Sequence, residues 1–220
     1  MPVTGSVDDC GTLRRMVETA GPSHRPARLV RSEQMRARLL AAARESFAAQ
    51  GWSRARVEDI CRTAGVGHGT FYGYYANKGA ALESIVRAHA ADLYTLLEAE
   101  WTSGDVRSDV ERVIGGFVAL SERDADVRDV WLAAAPADPT LARLVDEVRR
   151  QFVGRIAAHL LAAREAGHAR GDLDVDVASS ALAAMVEQTV ALALRPDAEL
   201  DRERLVSGLA DLWVNAVYRM

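Results

Sequence analysis

The chain has 220 residues, 49% of them hydrophobic, enough for one large helical body or a small domain joined to a larger one. No apolar run approaches the roughly 20 residues that cross a bilayer, and the opening MPVTGSVDDCGTLRRMV has no apolar signal core, so a cytoplasmic protein with no membrane partner is expected. Cys10 and Cys61 form neither a disulfide framework nor a zinc-ligand spacing, and a net charge of -4 speaks against a protein that coats nucleic acid over its whole surface.

The charge is divided unevenly. Residues 1–90 carry 13 basic against 8 acidic side chains, and residues 91–220 carry 14 against 23. A basic front before an acidic body suits a protein that presents one end to phosphate, although chance asymmetry over a solvated surface gives the same pattern.

Residues 1–31, with prolines at 2, 22 and 26, read as a flexible extension. Arg25, Arg28 and Arg31 within it could form a basic arm for a minor groove or a plain solvated linker. From Ser32 the pattern changes: Met35, Leu39, Leu40, Ala43 and Phe47 recur at helical steps until Gly51 stops them. A second short stripe, Val57, Ile60, Cys61 and Ala64, ends at Gly65, which can adopt the left-handed cap conformation. A third short helix follows over about 67–74, and Asn77 can cap a long fourth one carrying Leu82, Ile85, Val86, His89, Leu93, Leu96 and Leu97.

Further stripes run through Val110 to Phe117, Val127 to Trp131 and Leu141 to Leu160, the last behind an Asp138 cap with Pro139 at the first helical position. Two final helices, about 175–194 and 202–218, are separated by RPDAELD. No alternating strand pattern is present, so the expected fold is all-α.

The segment VEDICRTAGVGHGTFYGYYANKGAAL, residues 57–82, is the most specific part of the chain. Two short helices joined through Ala64, Gly65 and Val66 form a helix-turn-helix, with Ile60, Val66 and Phe71 placed to pack the pair rigidly. The segment closely resembles the TetR family of transcriptional regulators, matching its pattern at Asp59, Ile60, Ala64, Gly65, Val66, Gly69, Thr70, Phe71, Tyr72, Tyr74, Asn77, Lys78 and Leu82. Fainter likeness extends to ESFAAQGW upstream and to DPTLARLV and Gly167 to Asp174 downstream. The chain departs from the pattern at Ala55, Gly67, His68 and Gly79, so no base preference carries over.

The resemblance implies an N-terminal helix-turn-helix DNA-binding domain of three helices, residues 32–78, and a C-terminal helical ligand-binding and dimerisation domain, residues 79–220, with the long fourth helix as connector. It implies that His68, Gly69, Thr70, Tyr72, Gly73 and Tyr74 line the DNA side of the recognition helix while Phe71 and Tyr75 face the core. Arg56 at the second helix and Lys78 at the fourth are candidates for phosphate, Lys78 as a mobile cation at the positive end of a helix dipole. A small-molecule effector would lie among the later helices, where Phe117, Trp131, Phe152, His159, Met185 and Gln188 are the candidate contacts. A homodimer would form through the last two helices, with Leu182, Met185 and Val186 on one and Leu205, Leu209, Leu212, Trp213 and Ala216 on the other; packing of these stripes within one chain is the competing reading.

Enzyme chemistry finds no support: the five histidines form no metal or triad motif, and no glycine-rich phosphate loop follows a strand. Neither a cofactor nor a metal is called for. Asp172, Asp174 and Asp176 imitate the start of a calcium loop, but Val177 and Ala183 stand where that loop needs glycine and glutamate, so helix capping accounts for them better. The expected function is a ligand-responsive repressor that binds a palindromic operator on double-stranded DNA as a homodimer and is released by an apolar or amphipathic effector. The alternative is a helical ligand-binding or protein-interaction module whose reading head no longer binds DNA.

Overall fold

A computed structural model of the chain describes residues 27–98, 105–195, 197–198 and 201–218. Nine α-helices are present among them: α1 Ala27–Arg54, α2 Val57–Ala64, α3 His68–Tyr72, α4 Lys78–Glu98, α5 Val106–Arg123, α6 Ala125–Ala134, α7 Pro139–Glu165, α8 Val175–Ala193 and α9 Arg202–Val217. The described residues contain no strand, only an isolated bridge between Ala169 and Tyr218. The chain divides into two units, Met1–Arg38 and Leu39–Met220. In the first unit every described residue is helical.

α1 begins at Ala27, five residues before the expected start at Ser32. Leu29 and Val30 are exposed, so this turn has no apolar stripe for a periodicity reading to find; its Ala, Arg and Leu residues are simply good helix formers. Arg28 and Arg31 therefore sit exposed on the helix instead of on an arm before it, while Arg25 and the rest of the proposed extension lie outside the described residues. Gly51, at φ 72° and ψ 168°, breaks the helical path where expected.

In the second unit Leu39, Phe47, Ile60, Phe71 and Leu82 are each fully buried, one or two contributed by each of α1 to α4. The larger core is built by α4 to α9: α5 packs against α9, α7 against α8, and α4 against both α5 and α7. Val110, Ile114, Leu160, Val190, Leu209 and Trp213 lie at its centre. Caps define the helix starts. Asn77 accepts from the Ala80 N–H at 2.9 Å, and Asp138 accepts from the N–H groups of Thr140 and Leu141 with Pro139 at the first position. Asp174 accepts from the Val177 N–H at 3.1 Å, the capping role expected for the acidic run.

α8 revises one expectation. Its 19 residues, at a mean hydropathy of 1.2, meet the length and composition of a membrane-crossing helix. Ser179, Leu182, Ala183, Val186 and Val190 on one side are nevertheless buried in the protein core, and Asp176 and Glu187 interrupt the run, so α8 is a core helix whose outer face is also apolar.

Candidate nucleic-acid interface and internal cavity

The helix-turn-helix is assembled from local rules. Arg56 precedes α2 without a side-chain acceptor of its own, and its backbone N–H donates to Asp59 at 3.2 Å instead, so Asp59 supplies the cap that Ala55 and Arg56 lack. Gly65 ends α2 at φ 62°, a conformation that favours glycine, with its N–H on the Arg62 carbonyl and the Val66 N–H on that of Cys61. Ile60, Cys61 and Ala64 bury one face of α2.

α3 separates its two faces cleanly. Phe71 is fully buried and packs against Tyr72 and Tyr75 at ring distances of 5.6 and 5.7 Å, and Tyr75 is itself buried. His68, Gly69, Tyr72 and Gly73 are exposed, Tyr72 at 55%, while Thr70 and Tyr74 are half-buried. A Cβ added at Gly69 would meet nothing within 4 Å, so no intrachain packing asks for glycine there. Arg56 is exposed as well.

Lys78 requires a correction. Its Nζ donates to the carbonyls of Trp52 at 2.6 Å and Ala55 at 2.9 Å and lies 4.4 Å over the Trp52 ring. Burial pushes its ammonium below the ordinary lysine range. The side chain is a strut that satisfies the Trp52 carbonyl near the end of α1 and the Ala55 carbonyl just beyond it, so it is held in place instead of being the mobile cation expected from its position. Beside it, a Cβ at Gly79 would stand 3.0 Å from Asn77 Oδ1 and 3.1 Å from an Asp138 carboxylate oxygen, so a side chain there would have to displace these two groups slightly.

A cavity of about 330 Å³ opens between α4, α5, α6, α7 and α8. Of the six candidate contacts, Phe117, Trp131, Phe152 and Gln188 line it, Phe117 stacked on Phe152 at 5.9 Å. His159 and Met185 do not. The His159 Nε2 lies 2.8 Å from the Tyr218 hydroxyl, tying α7 to the end of α9, and burial lowers the imidazole pKa. Burial, with Asp109 adding to it, pushes the Tyr218 hydroxyl up to about 12. Met185 packs into the apolar core instead.

The polar wall of the cavity was missed by the sequence reading: His89, Asp124, Arg128, Arg149 and Glu187 all line it. Arg149 pairs with Glu187 at 3.3 Å, and burial raises the Glu187 carboxyl despite this partner. Asp124, at the junction of α5 and α6, is a hub with its side chain 3% exposed. Arg44 Nη1 and Arg123 Nη2 each reach it at 2.7 Å, and His89 Nδ1 at 2.6 Å. Burial opposes ionisation of Asp124, but the hydrogen bonds from Arg123, His89 and Arg44 outweigh it and hold the carboxyl well below the usual carboxylate range. The one available signal was His89 itself, a polar ring on the buried stripe of the fourth helix and in need of a partner.

The expected dimer face is also redrawn. Leu182, Val186, Leu205, Leu209 and Trp213 are 3–5% exposed and belong to the protomer core, so the competing reading, packing within one chain, holds for them. The Trp213 indole nitrogen is buried with no acceptor among the described residues. Leu212, 59% exposed, and Ala216 remain on the surface of α9, and Val177 and Leu192 stand out from α8 at 64% and 52%. A helix carries several apolar residues per turn, and only packing decides which of them face inward.

Among the described residues no group of three or more His, Cys, Asp or Glu side chains is placed to hold a metal ion. Cys61 is buried, and desolvation raises its thiol pKa, the opposite of an activated nucleophile.

Comparison with known proteins matches residues 39–85 to the model for bacterial regulatory proteins, tetR family, and residues 110–219 to that for the transcriptional regulator EthR, C-terminal domain. The HTH-type transcriptional regulator EthR of Mycolicibacterium smegmatis is 24% identical over 205 residues, 91% of this chain and 94% of that protein. The fatty acid metabolism regulator protein of Bacillus subtilis is 22% identical over 182 residues, 82% of this chain and 94% of that protein. In fold, the fatty acid degradation regulator FadR from Bacillus halodurans aligns with a TM-score of 0.69 at 21% identity, over 81% of this chain and 93% of that one.

Proposed function

Because the chain belongs to the TetR family of bacterial regulatory proteins, we propose that it is a ligand-responsive repressor that binds a palindromic operator as a homodimer and leaves it when a small apolar or amphipathic effector enters the cavity. The carrying observation is the division of α3, whose Phe71 side is sealed into the core while His68, Gly69, Tyr72 and Gly73 are left to solvent. A recognition helix needs that division: one face held rigid, the other free to enter a major groove. Residues 32–78 form the reading head and residues 79–220 the effector and dimer body. The protein acts in the cytoplasm, on double-stranded DNA.

Thr70 reads base edges from this face, with His68 beside it, and the Tyr72 and Tyr74 hydroxyls and Arg56 take phosphate. Gly69 and Gly73 let the backbone approach the duplex. The dimer forms through the outer faces of α8 and α9, where Val177, Leu192, Leu212 and Ala216 are exposed. An apolar face on a helix already buried along its other side is supported by a second copy better than by water. The cavity, near the lower end of the size range of small-molecule sites and lined by Phe117, Trp131 and Phe152, is suited to an apolar body.

Selection from random duplex DNA with the purified full chain tests the reading. Enrichment of a palindrome is expected; no enrichment at low salt would favour a helical module with an inactive head.

A further inference from the structure

The cavity is largely apolar, and most of its charged groups already have partners: Glu187 with Arg149, Asp124 with Arg44 and Arg123. Within this setting His89 is a polar group whose hydrogen-bonding capacity is half used. Its Nδ1 lies 2.6 Å from Asp124 Oδ2. An ionised carboxylate can only accept, so Nδ1 carries the proton and donates. In a neutral imidazole the other nitrogen is then an acceptor, and Nε2 has no protein donor among the described residues.

The ring is held edge-on to Trp131 at 5.0 Å, with Phe117 and Phe152 stacked across the same cavity. Aromatic walls beside this acceptor fit a flat, uncharged molecule that bears a hydroxyl or N–H. Asp124 takes the contact further, because the carboxylate that orients His89 also binds Arg44 of α1. Arg44 is in turn anchored to Asp126 and to the Arg123 carbonyl, so α1 is bolted to the α5–α6 junction at the edge of the cavity.

We propose that His89 reads the effector, accepting at Nε2 a hydrogen bond from a hydroxyl or N–H on an otherwise apolar, ring-bearing molecule, and that Asp124 passes this contact to Arg44 on the first helix. The proposal rests on the cavity being the effector site. It supplies the element through which occupancy of that site biases the reading head.

Three probes of one shape test it: 2-naphthol, 2-methoxynaphthalene and naphthalene, titrated calorimetrically into the full-length protein and into His89→Phe, which keeps the aromatic contact but removes both nitrogens. The wild type should bind 2-naphthol roughly tenfold tighter than either of the others, the usual scale of one hydrogen bond. His89→Phe should bind all three alike. Hydrogen exchange of the amides flanking Arg44, followed at equal saturation, should change with 2-naphthol in the wild type and not in His89→Phe. Equal binding of the probes by the wild type, no binding of 2-naphthol, a preference that survives in His89→Phe, or unchanged exchange around Arg44 would each overturn the proposal. None of these depends on DNA, whereas the repressor reading fails separately if no duplex is enriched.

Discussion

Arg44 of α1 and Asp124 at the α5–α6 junction form an ion pair, Nη1 to Oδ1 at 2.7 Å, in which the carboxylate is almost fully enclosed and the guanidinium is 30% exposed. The pair joins two stretches of chain eighty residues apart, and the same carboxylate is part of the cavity wall. Its electrostatics are open to direct test.

Asp124 is held below the usual carboxylate range in the folded protein, so its contribution to stability is fully present above the unfolded value of about 3.9 and is lost as pH falls toward the folded value. Asp124→Asn should lower the urea midpoint at pH 7, and the gap to wild type should narrow as pH drops from about 4. A gap that stays constant in acid would show that packing, not charge, accounts for the loss.

Lys78→Met should cost stability more than DNA binding. Its ammonium satisfies the Trp52 and Ala55 carbonyls, and removing a donor from such acceptors costs about 1 to 3 kcal/mol. The thermal midpoint should drop, while the salt dependence of duplex binding should change by much less than the one unit expected for a lost phosphate contact. A full unit lost with an unchanged midpoint would restore the phosphate role.

Thr70→Ala and Tyr72→Phe should separate base reading from backbone contact. Loss of the Thr70 hydroxyl should change which duplex is preferred, by roughly 1 to 3 kcal/mol between competing sites. Tyr72, exposed at the tip of α3, should on losing its hydroxyl weaken all duplexes alike. Competition binding against single-base variants of the selected site reads both, and the reverse assignment would exchange their roles.

Leu212→Arg should produce a folded monomer, because Leu212 is 59% exposed and its replacement disturbs no core. Leu209→Arg, at 3% exposed, should unfold the body instead. Sedimentation and circular dichroism distinguish the two. A Leu212→Arg protein that remains a dimer would move the interface away from α9.

Much of the reading head was visible without coordinates. The Gly65 and Asn77 caps follow from rules that act within a few residues, the inward Phe71 and Tyr75 were implied by the family resemblance, and the structure has each of them. The anchoring of Lys78 was not legible, because the carbonyls it satisfies lie 23 and 26 residues earlier, at and just beyond the end of α1. His159 and Met185 looked like cavity residues because their positions on the helices are right in period; Tyr218 and the apolar core claimed them.

The sequence by itself determined that the chain is helical, where most helices start and stop, and which family its helix-turn-helix belongs to. Capping and the 3.6-residue period are local properties, and the motif is a contiguous string. Only the tertiary structure decided which apolar stripes of α8 and α9 turn inward, since Leu209 and Leu212 are indistinguishable by chemistry and differ only in what packs over them. It alone brought Arg44, His89, Arg123 and Asp124 together. A buried carboxylate is tolerated only where donors converge on it, and that convergence comes from contacts between distant segments that no local pattern records.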